Sequence, residues 1–159
     1  MAARLPAGAR IVATDLNQPM LDYAKAGHSG ADRDRIEWKQ ADAQALPFRN
    51  QSFDVVACQF GVMFFPDKVQ GYKEARRVLK PGGLSYLQSG TRSRKTISPI
   101  LSRRLSLPFF PTTLPGFSPA PRNGYHDENQ IRSDLRAAGF ANAIVDVVPA
   151  TSKALRAAP

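Results

Sequence analysis

The sequence is poor in the side chains from which covalent and metal chemistry is built. One cysteine and two histidines in 159 residues rule out an intrachain disulfide and leave too few ligands for a His/Cys metal centre. Cys58 sits inside an apolar run and reads as a core residue rather than a nucleophile. No apolar run reaches the length of a membrane span, the longest, residues 55–65, being interrupted by Gln59. Residues 1–10 carry no basic-then-apolar leader, so the expectation is a cytoplasmic protein with no membrane association. Glycine is scarce at the start: Gly8 stands alone before Gly27. Acid is missing from one long interval. Between Glu74 and Asp127 there is none, while nine basic residues fall there, so the remainder is balanced at thirteen acids against thirteen bases. The net charge of +9 therefore belongs to that interval. Its phenylalanines, Phe109, Phe110 and Phe117, do not alternate with the basic residues as a base-stacking platform requires, so nucleic acid is not an expected partner.

What is present is a repeated strand and helix pattern. The apolar run of residues 10–14 stops at Asp15, and Pro19 then opens a segment with Met20, Leu21, Tyr23 and Ala24 at helical spacing up to Gly27. Residues 36–40 alternate as a second strand, and Asp42 follows just past its end. Residues 53–60 are apolar enough for a central strand of a parallel sheet. Residues 67–79 place Val69, Tyr72, Ala75 and Val78 on one helical face, Pro81-Gly82-Gly83 ends that helix, and residues 84–88 form a further strand. Residues 127–139 read as a helix with acids in its first turn, and residues 143–148 as a strand. The alternation predicts an α/β domain with a mostly parallel sheet and helices on both faces. In such sheets ligands lie outside the carboxyl ends of the strands, and an acid ending the second strand holds ribose hydroxyls. Asp15 therefore suggests a nucleoside cofactor.

Four motifs stand in order: Val12-Ala-Thr-Asp15-Leu-Asn-Gln-Pro-Met20-Leu, Ala41-Asp42-Ala43-Gln-Ala-Leu-Pro-Phe48, Ser52-Phe53-Asp54-Val-Val, and Glu74-Ala-Arg-Arg-Val-Leu-Lys80-Pro-Gly-Gly83. Together they resemble a class I S-adenosylmethionine-dependent methyltransferase with its Rossmann-like sheet, and within that class the branch of the ubiquinone and menaquinone C-methyltransferases. The resemblance covers residues 1–90 and resumes over 124–148. It implies S-adenosylmethionine as cofactor and a small molecule as methyl acceptor. By position, Asp15 would accept from the ribose hydroxyls, Leu16 and Met20 would pack on the adenine, Asp42 would accept from its amino group and the Ala43 N–H would serve a ring nitrogen. Gln59 would lie at the cofactor, with Phe60, Met63 and His126 facing substrate. An ionised carboxylate suits the first and third roles because it accepts strongly and has no donor to conflict. No fixed catalytic acid or base is implied, since alignment of a nucleophile with an electrophilic methyl in a dry pocket carries the reaction.

The sequence departs from the resembled family twice. A first strand ending in a glycine-rich turn, which lets backbone approach the cofactor, is absent from these residues, giving the expectation of an N-terminally truncated domain with weakened binding and an exposed sheet edge that a partner covers. Residues 91–123 form a basic, Pro-rich segment, expected to be irregular, with two readings open: a stretch translated out of the ancestral frame, or a flexible basic loop. The expected organisation is thus a partial cofactor-binding region over 1–90, the irregular segment over 91–123, a helix and strand of the same domain over 124–150, and a tail over 151–159. Two other readings stay open: an NAD-binding Rossmann fragment, because an acid after the second strand also holds the ribose of NAD, and a non-catalytic interaction protein with a basic loop.

Overall fold

The computed structural model describes residues 5–6, 8–28, 33–90, 95–98 and 125–149. Strand β1 (Ile11–Asp15), helix α1 (Gln18–Ala26) and strand β2 (Ile36–Gln40) form a β-α-β unit whose strands run parallel, with Ile11 opposite Ile36 and Asp15 opposite Gln40. Pro19 sits in the first turn of α1, where its missing N–H costs nothing. A second unit follows: β3 (Phe53–Gln59), α2 (Lys68–Val78) and β4 (Leu79–Gly90), again with parallel strands. β5 (Lys95–Ser98), α3 (Glu128–Ala137) and β6 (Asp146–Pro149) complete the described elements.

The strands form two sheets, β1-β2 and β3-β4-β5-β6, rather than one continuous sheet. Among the described residues no strand pairs with the second edge of β1 or of β3. The second half of the larger sheet also differs from the expected parallel arrangement, because β5 is antiparallel to both β4 and β6. The four residues separating β4 from β5 are too few for the crossover that a parallel pair needs. Lys95–Ser98 is thus strand within the segment expected to be irregular; the rest of that segment, the tail, and the early residues before Leu5 lie outside the described residues.

Caps fix both longer helices. Asp67 accepts from the Gln70 N–H at 2.9 Å to start α2, and Asp127 accepts from the Asn129 and Gln130 N–H groups at 2.8 and 3.1 Å to start α3. At the end of α3, Gly139 takes φ +90° and the Phe140 N–H donates to the Leu135 carbonyl at 2.9 Å. The core lies between α2, α3 and the larger sheet, where Val62, Tyr72, Leu87, Tyr125, Ile131, Leu135, Ala138 and Val145 are buried together. The β1-α1-β2 unit contributes little: Leu21 is its one buried side chain among the described residues. Within the core, a Cβ on Gly71 would meet the Phe65 ring at 2.6 Å. Gly71→Ala is therefore expected to destabilise the fold by about 1 kcal/mol net, since overpacking outweighs the gain in helix propensity. The measurement is urea unfolding, with a lower midpoint at unchanged slope as the expected result.

Candidate functional site

Two hydrogen bonds knit the carboxyl ends of β1 and β2 together. The Ala41 N–H donates to the Asp15 carbonyl at 3.0 Å, and Gln40 Nε2 donates to the Leu16 carbonyl at 2.9 Å. Asp15, Leu16, Asp42 and Ala43, far apart in sequence, thereby share one edge of the small sheet. Both carboxylates are only half engaged. One oxygen of Asp15 accepts from the Asn17 N–H at 2.8 Å, and one oxygen of Asp42 accepts from the Gln44 N–H at 2.8 Å. In each case the second oxygen takes no hydrogen bond among the described residues, nor does the Ala43 N–H find an acceptor there. Asp15 bonds a residue ahead of α1, whose N-cap position is Asn17, so it orders the approach to the helix instead of capping it. Leu16 is 67% exposed and Met20 half-buried on the following helix.

The carboxyl ends of β3 and β4 are tied in the same way. Gln59 Nε2 donates to Gln88 Oε1 at 2.9 Å, and the Phe60 N–H donates to the Gln88 carbonyl at 2.8 Å. Phe60 leaves the strand at φ +54°, a conformation that non-glycine residues rarely adopt and that turns its exposed ring out of the strand. Met63 packs against the core cluster around Val62. The nearly fully buried Ser89 Oγ donates to the Tyr125 carbonyl at 2.7 Å, which seats Tyr125 and the exposed His126 at the end of β4. Cys58 also packs on the core, and burial pushes its thiol up from its ordinary value, as befits an unreactive side chain. Tyr125 Oη donates to Asp134 Oδ2 at 2.6 Å; burial and this bond to a carboxylate both push the phenol up. Asp54 lies at the other end of β3 and pairs with Lys80 at 2.8 Å, away from the site.

The loop that carries Asp42 is held from one side by α2. The Asp67 N–H donates to Gln44 Oε1 at 2.8 Å, Gln70 Nε2 donates to the Gln44 carbonyl at 3.1 Å, and the Leu46 N–H donates to Glu74 Oε2 at 2.8 Å. Arg77 donates to the carbonyls of Leu46 and Phe48, each at 2.8 Å, and to Asn50 Oδ1 at 2.9 Å. Glu74 and Arg77 also form a two-pronged ion pair with both contacts at 2.7 Å, the Glu74 side chain being only 13% exposed. The hydrogen bonds from Arg77 hold the Glu74 carboxyl below its usual range. Its contribution to stability is therefore present above the ordinary carboxylate range and is lost as pH falls through the depressed value. Sequence reasoning missed this set, although Asp67, Gln70, Glu74 and Arg77 recur at steps of three, four and three, a polar stripe legible as such.

A hollow lined by residues 8–11 and 34–37 lies at the amino ends of β1 and β2, opposite the carboxylates. The carboxyl edge, with half-engaged acceptors on adjacent parallel strands, is the candidate site, because ligands of open α/β sheets lie outside the carboxyl ends of the strands. This arrangement defines a Rossmann-like α/β domain. The cyclase SpnF shares the fold, with a TM-score of 0.55 at 21% identity over 82% of this chain and 43% of that one. The family described as "Methyltransferase domain" matches residues 1–87, and the chain belongs to it. The demethylmenaquinone methyltransferase of Chlorobaculum parvum is 38% identical over 113 residues, 71% of this chain and 43% of the relative. The ubiquinone/menaquinone biosynthesis C-methyltransferase of Paracoccus denitrificans is 40% identical over 77 residues, 48% of this chain and 31% of the relative. The chain thus spans about two fifths of the length of the first of these relatives. No helix among the described residues is long and apolar enough to cross a membrane.

Proposed function

We propose that the chain binds S-adenosylmethionine at the carboxyl edge of β1 and β2 and belongs to a protein that methylates carbon in a small, quinone-like acceptor. The observation that carries this reading is that Asp15 and Asp42 stand at the same carboxyl edge of β1 and β2, each with one carboxylate oxygen unused among the described residues. Those acceptors suit two ribose hydroxyls and an adenine amine, the Ala43 N–H suits a ring nitrogen, and Leu16 and Met20 offer apolar cover for the base. When bound, the sulfonium supplies an electrophilic methyl group. Gln59, Phe60 and Met63, with His126, are the residues assigned to the methyl and acceptor side, where their work is orientation and exclusion of water. The relatives' names favour a quinone-type acceptor. The edges of β1 and β3 that are unpaired among the described residues favour a further strand or partner that covers them.

Calorimetry with S-adenosylhomocysteine and with NAD separates the readings. The expected result is S-adenosylhomocysteine binding in the micromolar range, with NAD at least about tenfold weaker. The reverse order assigns the site to a dinucleotide, and no heat with either ligand overturns the cofactor reading.

A further inference from the structure

The polar stripe of α2 does more than close a loop. It contacts mostly backbone atoms: the Gln44 carbonyl, both polar groups of Leu46 and the Phe48 carbonyl. It therefore fixes the path of the chain directly after Asp42, with little dependence on which side chains the loop carries. The loop's own contribution over residues 42–45 is modest. The Asp42 carboxylate accepts from the Gln44 N–H, and the Ala45 N–H donates to the Asp42 carbonyl at 3.0 Å. Both bonds turn about Gln44, the residue whose side-chain oxygen and carbonyl are gripped by the first turn of α2. The aim of the second Asp42 oxygen and of the Ala43 N–H is thus set by a helix that contributes no group to the proposed cofactor site.

We propose that Gln70, Glu74 and Arg77 are positioning residues that make the carboxyl edge selective for an adenine amine, an inference that rests on the cofactor reading above. Arg77 is the anchor because its planar fork pairs with Glu74 through two nitrogens while reaching three acceptors on the loop; an ammonium at the same place serves as a point charge and loses that geometry. Misplacement of an acceptor by a fraction of a hydrogen-bond length removes most of its contribution, so selectivity falls before binding disappears.

The test compares S-adenosylhomocysteine with S-inosylhomocysteine, which carries a carbonyl where adenine carries the amine, on the wild-type chain, Arg77→Lys and Gln70→Met. Affinity is read by calorimetry and loop order by amide hydrogen exchange. The wild-type chain is expected to favour the adenosyl ligand by about tenfold, and each variant to reduce that ratio to about two or less. In both variants exchange is expected to quicken at Gln44, Ala45 and Leu46 while Ile131 and Leu135 in the core keep their protection. Gln70→Met keeps the Glu74–Arg77 pair, so it carries the test if Arg77→Lys fails to fold. A wild-type chain that discriminates alongside folded variants that discriminate equally well would overturn the positioning role and leave the cofactor reading standing. A wild-type chain that binds neither ligand, or binds both alike, overturns the inference at its base.

Discussion

Asp15→Ala is expected to weaken S-adenosylhomocysteine binding by about tenfold to a hundredfold, the range for losing hydrogen bonds to a charged acceptor. Asp15 is exposed and holds one local backbone N–H among the described residues, so the fold has little stake in it. Thermal unfolding should accordingly shift by no more than a few degrees. Asp15→Asn should fall between the two, since the amide keeps an acceptor but not the charge. Calorimetry on the three proteins is the measurement, and an Asp15→Ala chain that binds as tightly as wild type would place the ribose elsewhere.

The second large effect is a gain. A strand of about five apolar residues ending in a glycine-rich turn, provided as a peptide or fused ahead of residue 1, is expected to raise S-adenosylhomocysteine affinity at least about tenfold. Such a strand would pair with the edges of β1 and β3 left open among the described residues, and its turn would bring backbone N–H groups to the cofactor. Two readouts separate these contributions. Hydrogen exchange at the β1 and β3 amides reports strand pairing, and calorimetry reports the turn. The same strand with alanines in place of the turn glycines should protect the amides without raising affinity. If neither edge gains protection, the proposal of a covering strand is wrong.

Where hydrophobic period and turn chemistry act locally, the sequence was a good guide. The alternation in residues 36–40 set the limits of β2, and the apolar face of residues 67–79 located α2, whose Asp67 proved to be its cap. β1 runs one residue later than its apolar run suggested, because Asp15 itself completes the ladder opposite Gln40. The shared edge of Asp15 and Asp42 was legible through strand-end acids, since one ends and the other follows an independently recognisable strand. Two things were not. β5 lies in a Pro- and Arg-rich segment with no sustained period, and its place in the sheet comes from pairing with β6, some fifty residues onward. The polar stripe of α2 had a visible spacing, but its partner is mostly loop backbone, which leaves no trace in side-chain identity.

One property of the first unit reaches further than its size. With Leu21 as its one buried side chain among the described residues, the β1-α1-β2 unit has little apolar burial with which to offset the entropy of its own ordering. Among the described elements it is expected to be the first to open, ahead of α2, α3 and the larger sheet. The proposed ligand would then bind the closed form alone, so its observed affinity would be the intrinsic one multiplied by the closed fraction. Any contact that closes this unit, from a covering strand to a sharper turn, would act as a cooperative effector of binding without touching the ligand.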